Sequence, residues 1–364
     1  MSLGGLLSVI TGDPALQEAL DSPGTAGTVP GGDTTVAETG ADFTAPPALR
    51  PFLAAALTGL PGDGGDRARQ DRRFVLAVTA TAREAEELTD GLSSLLPGEE
   101  VAYFPAWETL PHERISPGSE TCGRRLAVLR RLAHPDPADA RTGPLSVVVT
   151  SVRGLLQPIV GGLGDIAPVS LRPGQGAGLD EVIASLVEIG YTRTDLVERR
   201  GDMAVRGGIV DVFPPTEEHP LRVEFWGDEV EEIRQFRVAD QRSLQTVDRL
   251  WVPPCRELLL TPAVRERAKQ LAADHPDLAE VLGKLADGIA VEGMEAFAPA
   301  IASRMELLLD HVPASGRVLA CDPERIRARA ADLVRTSQEF LAASWVNAAA
   351  GGQAPIDLGA AAFR

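Results

Sequence analysis

The chain has 364 residues, 44% hydrophobic and 24% charged, roughly two to three times the commonest domain size of about 100–150 residues, so several packed units are expected. Those proportions exclude a wholly disordered chain and a membrane protein. The formal charge of -17, from 52 acidic and 35 basic residues, argues against general polyanion binding and for a partner protein.

Lys269 and Lys284 are the only lysines, so nearly every cation is an arginine. Coding bias accounts for this unless position shows guanidiniums placed for bidentate recognition. Cys122, Cys255 and Cys321 lack any metal-clip spacing, and an odd number makes a poor disulfide framework. With no basic n-region at the start and no run of about 18 apolar residues, a cytoplasmic protein is expected.

In chain order, residues 1–20 carry a short helical pattern, and 21–47, rich in Gly, Pro and Thr, read as a linker. Residues 49–60 predict a helix of small apolar residues, followed by a polar loop. Phe74 to Val78 is a short apolar run of the buried parallel-strand type. Thr81 and Glu84 stand at capping-box spacing, and Ala85, Leu88, Leu92 and Leu95 recur on one face of the helix they begin. Val101 to Phe104 predicts the next strand. Residues 122–133 predict a helix with Leu126, Leu129 and Ala133 inward and Arg124, Arg130 and Arg131 outward. Ser146 to Thr150 is a third buried strand, and the alternation implies a parallel sheet.

Beyond Pro158 the pattern changes. Leu179 to Ile189 is amphipathic, and the runs Ala204 to Phe213, Leu221 to Trp226 and Val230 to Val238 have antiparallel character, the last two joined by the hairpin signal Gly227-Asp228. These predict a small α+β module set into the α/β unit. Helices are expected at 262–274, 276–286 and 294–308, then a strand at 317–320 and a helix at 323–342. The Gly- and Ala-rich tail from 351 lacks a natural stop, as expected of a piece of a longer protein.

Motifs that carry chemistry are missing from this reading. There is no G-x-x-x-x-G-K-[ST] phosphate loop, and Gly283-Lys284 lies within an apolar helix. The glycine run Gly174 to Gly178 lacks a dinucleotide fingerprint and reads as a flexible loop. Asp228 to Glu231 imitates the magnesium-holding motif of helicases but falls at a hairpin turn. The five histidines show no paired ligand spacing, His112 beside Glu113 reads as a loop dipeptide, and no G-x-S-x-G elbow occurs. No catalytic residue, cofactor-binding residue or metal ligand is expected in this region.

Recognition chemistry remains. Arg193, Arg199, Arg200, Arg206 and Arg222 cluster between Tyr191 and Trp226, with Glu224 nearby. A period of two puts Arg222, Glu224 and Trp226 on one face of their strand and Val223 and Phe225 on the core face. Arg beside a large aromatic is enriched at interface hot spots, although a solvated sheet face with cross-strand ion pairs has the same composition. Gly207-Gly208 would permit a bulge that re-aims Arg206.

The strings VTATAREAEEL (78–88), FPAWETLPHERISP (104–117), VVVTSVRGLLQP (147–158), ERRGDMAVRGGIVDVFPPTEEHPLRVEFWGDEVEEIRQF (198–236), ADQRS (239–243), GIAVEGME (288–295) and CDPERIRARAADL (321–333) are similar to the N-terminal, UvrB-like region of the bacterial transcription-repair coupling factors, the Mfd family. The likeness spans about 45–350, with 198–236 its most specific block, and the Arg- and Ala-rich composition points to an actinobacterial member. The resemblance implies an α/β fold: a degenerate helicase-like parallel-sheet domain in two segments, 48–158 and 246–350, with a small α+β UvrA-binding domain, 159–245, between them. Residues 1–47 then form an N-terminal segment with a flexible linker, and 351–364 a tail. It also implies that Arg193, Arg200, Arg206, Arg222 and Glu224 match charged positions of the UvrA-binding surface of UvrB, with Trp226 where the family has an aromatic. Ala204 replaces an arginine of the UvrB pattern.

Two departures from UvrB shape the functional expectation. UvrB has a complete phosphate loop where this chain has TAPPALRPFLAAAL (44–57), and its long Tyr-rich damage-probing hairpin is replaced here by PAWETLPHERISP (105–117). The resemblance therefore implies an adaptor without ATPase activity that recruits UvrA to RNA polymerase stalled at DNA damage. The alternatives are a UvrB-like ATP-dependent DNA enzyme, and a module that docks on the C-terminal domain of its own longer chain to hold it inactive. ATP, magnesium, DNA and polymerase contacts would fall to later domains of the parent, a DNA translocase, and no membrane contact is expected.

Overall fold

The computed structural model describes residues 42–59, 73–110, 113 and 115–349, with a few positions among the first 17. Most of the linker, the polar loop after residue 60, His112 and the tail from 351 lie outside these residues. The frame opens with α1 (Arg50–Leu57), β1 (Val75–Thr79) and α2 (Ala82–Ser93). The predicted capping box forms: the Thr81 hydroxyl accepts from the Glu84 N–H, and the Glu84 carboxylate accepts from the Thr81 N–H. Next come β2 (Val101–Phe104), α3 (Ser119–Ala133), β3 (Val147–Ser151) and the short α4 (Val152–Leu156). Helix α3 starts three residues before the apolar spacing begins, because its first turn carries the acidic Glu120 rather than a core residue.

Strand β4 (Ile159–Val160) still packs in the frame core, and the inserted part holds β5 (Val169–Leu171), α5 (Leu179–Glu188), β6 (Thr192–Arg193), β7 (Asp202–Arg206) and β8 (Ile209–Val212). It continues through β9 (Leu221–Trp226), β10 (Glu229–Phe236), β11 (Ser243–Thr246) and β12 (Leu250–Val252). The chain then forms α6 (Pro262–Asp274), α7 (Ala279–Ala286), α8 (Ala298–Ile301), β13 (Met305–Glu306), β14 (Arg317–Ala320) and α9 (Pro323–Ala349). The single helix expected over 294–308 is a 3-10 turn and the short α8, after which Met305 and Glu306 pair with β4 instead.

Four parallel strands in the order β14-β1-β3-β2 make the frame sheet, so one sheet is built from chain on both sides of the insertion. Successive residues of β1 face opposite ways: Val75 and Ala77 pack with α1 and α2, while Leu76 and Val78 pack with α3 and Leu333 of α9. Sequence periodicity does not anticipate Arg125, which is fully buried in α3 and paired with the equally buried Glu257 from the chain after β12. Arg125 also donates to the Pro105 carbonyl at 2.9 Å and stacks over the Phe104 ring at 4.3 Å, while the Trp107 indole N–H donates to Glu257 at 2.9 Å. Such a pair, with its remaining polar atoms satisfied, survives burial where a lone charge would not.

The inserted module is a six-stranded sheet in the order β11-β10-β9-β8-β7-β6. Helix α5 covers one side, packing Val182 and Leu186 onto Met203, Val210, Val223, Phe225 and Ile233. The run read as one strand over 204–213 is two strands joined by Gly207-Gly208, with Arg206 paired to Ile209. The glycine pair therefore makes a tight hairpin turn rather than a bulge, because Gly207 takes φ 60°, open to glycine at little cost. The ladder is irregular instead between Val230 and Glu232 of β10. The glycine-rich stretch read as flexible is held: Gly174 and Ala177 donate to the Val230 and Asp228 carbonyls at 2.8 Å.

Module and frame are braced by charge and by shape. Arg249 pairs with Asp139, Arg141 with Glu217 at 3.6 Å, and Arg200 with Glu120 of α3 at 3.4 Å. Pro215 sits so close to α3 that a Cβ on Gly123 would fall 2.1 Å from its Cγ.

Candidate functional site

The side of the six-stranded sheet opposite α5 carries the charged ladder. Cross-strand pairing sets Ala204, Asp211, Arg222, Arg234 and Thr246 in one row, and Arg206, Ile209, Glu224 and Glu232 in the next. Strand β9 alternates as its sequence requires, with Leu221, Val223 and Phe225 buried and Trp226 exposed. Asp211, only 1% exposed, lies between Ala204 and Arg222 in the first row. Its Oδ1 accepts from Arg222 Nε at 2.7 Å, and its Oδ2 accepts from Arg222 Nη2 at 2.8 Å and Arg206 Nη2 at 3.1 Å. The hydrogen bond to Asp211 raises the Arg222 pKa further, and its guanidinium stacks on the Phe236 ring at 4.7 Å. Two guanidiniums thus share one carboxylate. On the next strand the balance inverts: Arg234 is flanked by Glu224 and, at 3.4 Å, by Glu232. The two clusters carry opposite balances: Arg206 and Arg222 around Asp211 leave one surplus positive charge, and Glu224 and Glu232 around Arg234 one surplus negative charge.

The residues named from sequence do not form one group. Arg206, Arg222, Glu224 and Trp226 share this face, and Trp226, at 81% exposure, is the most exposed large apolar side chain among the described residues. Arg193 pairs in register with Met203, whose side chain lies in the core under α5, so Arg193 belongs to the other side at the sheet edge. Arg200 stacks on the Phe213 ring at 5.0 Å, donates to the Glu217 carbonyl at 3.1 Å and reaches Glu120, bracing the module against the frame. Asp211, Arg234 and Glu232 escaped the sequence reading. The signal for Asp211 was there, a carboxylate between two core valines in a strand of period two, but its partners come from tertiary pairing.

Other chemistry is thin among the described residues. A concavity of about 470 Å³ opens at the carboxyl ends of β1, β2 and β3, but Arg124, Arg153 and Arg329 in its wall are offset by Glu86, Glu108 and Glu120. Burial pushes the Cys122 thiol up, Cys255 to about 12 and Cys321 to about 11, so none is a ready thiolate. No group of three or more His, Cys, Asp or Glu is placed to hold a metal ion among them. No described helix is long and apolar enough to cross a membrane.

Residues 169–258 match the family profile described as the UvrB interaction domain. They take in both β5 and β12, which pair with each other and close the module. Fold and match together define a helicase-like α/β frame carrying an inserted UvrB interaction domain. The chain is, more particularly, similar to the N-terminal region of the transcription-repair-coupling factors. It is 55% identical over 299 residues to the transcription-repair-coupling factors of Mycobacterium bovis and Mycobacterium tuberculosis, which covers 78% of this chain and 24% of theirs. To that of Bacillus subtilis it is 27% identical over 293 residues, 75% of this chain and 24% of the other. The chain spans about a quarter of the length of the curated relatives it matches.

Proposed function

We propose that this region is a docking adaptor without ATPase activity, which binds the repair protein UvrA through the charged face of its inserted sheet and brings it to RNA polymerase stalled at DNA damage. Polymerase and DNA contacts, and any ATP-driven translocation, belong in this reading to the rest of a longer parent. The observation that carries it is the juxtaposition of Arg206, half-exposed at 51% beside an already satisfied Asp211, with the exposed Trp226 on the sheet of a UvrB interaction domain. An arginine fork and an aromatic that solvent leaves uncovered are the groups a partner surface can desolvate with profit.

The segment that occupies the phosphate-loop position supports the lack of nucleotide chemistry. Pro46, Pro47 and Pro51 surround the start of α1 and have no backbone N–H to offer a phosphate, and no lysine accompanies them. Titrating UvrA against Arg206→Ala and Trp226→Ala tests the docking. Each should weaken binding by roughly tenfold or more, about 1.4 kcal/mol, and unchanged affinity in both would overturn the assignment. A measured ATP turnover by this region would favour the enzymatic alternative.

A further inference from the structure

We infer that Asp211 is a positioning residue: its buried carboxylate commits Arg222 to the sheet and holds Arg206 by one bond as the half-exposed guanidinium that an acidic group on the partner meets. The inference rests on the docking reading above and gives the two arginines different work.

Arg222 alone completes Asp211. Its Nε and Nη2 engage both carboxylate oxygens in the bidentate arrangement, its side chain is 18% exposed, and its guanidinium is stacked on Phe236. A bidentate pair already neutralises the buried charge, so the second arginine is not required for that purpose. Arg206 adds a single bond from Nη2 to Oδ2, and half of its side chain stays in solvent. That bond holds one corner of the fork while about half of the side chain stays accessible to a partner. The glycine turn beside it adds the second constraint: Gly207 at φ 60° reverses the chain one residue after Arg206, which fixes where the side chain leaves the sheet.

Charge supplies the direction. Two guanidiniums on one carboxylate leave a surplus of one positive charge here, on a chain whose formal net is -17. A carboxylate on the partner would meet that surplus without having to break the Asp211 pair. An arginine with no anchor would lose side-chain entropy on docking, so the anchor lowers the cost of binding.

The test is a set of variants titrated with UvrA: Arg206→Ala, Trp226→Ala and Asp211→Asn, together with each of the first two combined with the third. Asp211→Asn should weaken binding by roughly tenfold although it touches no partner group. In that background Arg206→Ala should cost less than about twofold more, whereas Trp226→Ala should keep its full effect, because Asp211 holds the one and not the other. Multiplicative effects of Asp211→Asn and Arg206→Ala, or wild-type affinity of Asp211→Asn, would overturn the inference. Equal loss of the Arg206 and Trp226 effects would also overturn it, since that marks a general collapse of the sheet. If Asp211→Asn does not fold, Asp211→Glu serves, keeping the charge and moving it by one methylene; wild-type affinity there would refute a positioning role. A harmless Arg206→Ala in the otherwise native chain would instead strike at the docking reading itself.

Discussion

At the scale of single residues, the buried ion pair of Arg125 and Glu257 shows how misleading a helical pattern can be. Arginine at an inward position of α3 looks like an error in the apolar stripe until its partner arrives from 132 residues further along. Substituting Met for Arg125 would leave the Glu257 carboxylate buried with only the Trp107 indole to solvate it. We expect a loss of about 3–5 kcal/mol in urea unfolding. The double variant Arg125→Met with Glu257→Leu should be more stable than the single one, since it removes the orphaned charge. A double variant weaker than the single would show that the pair does more than neutralise itself.

At the scale of elements, the same substitution has opposite signs on two helices. Gly283 in α7 has nothing within 4 Å of a built Cβ, so Gly283→Ala should stabilise by roughly 1 kcal/mol through helix propensity. Gly123 in α3 lies against Pro215 of the module, and Gly123→Ala should destabilise by about 1–3 kcal/mol or prise the module from the frame. Thermal melts and limited proteolysis of both variants would separate these outcomes; equal effects would refute the contact. The capping box at Thr81 gives a milder case, with Thr81→Ala costing about 1 kcal/mol. That cap was legible in the sequence, because its two residues are three apart. The contact between Gly123 and Pro215 was not, because its two sides are joined only by the fold.

At the scale of the whole molecule, the brace between Arg249 and Asp139 couples module to frame in a pH-dependent way. Burial works against ionisation of Asp139, but the Arg141 N–H, the Arg249 guanidinium and Thr142 outweigh it and hold the carboxyl below its ordinary range. A folded pKa below the unfolded one adds stability that is complete above the unfolded value, about 3.9, and is lost as pH falls through the folded value. Arg249→Ala should therefore lower the melting temperature at about pH 7, and that difference from the unaltered chain should shrink towards about pH 3. A difference independent of pH would show that Arg249 acts by packing alone.

The local patterns were enough to specify the four strands of the frame sheet, helices α1 to α3, the Gly227-Asp228 hairpin and the alternation of β9, since each depends on neighbours within a few residues, but not the stretch over 294–308, whose last residues pair with β4. They also carried the family likeness, and with it the charged positions now found on or near the inserted sheet. What the tertiary structure decided is the division of labour among those charges. It set Arg193 on the far side, turned Arg200 into a brace, tied Arg222 to the unforeseen Asp211 and left Arg206 and Trp226 to solvent. The reason is physical: side-chain period tells which face a residue takes, but the partner across a sheet is chosen by register, and register is settled only when the strands come together.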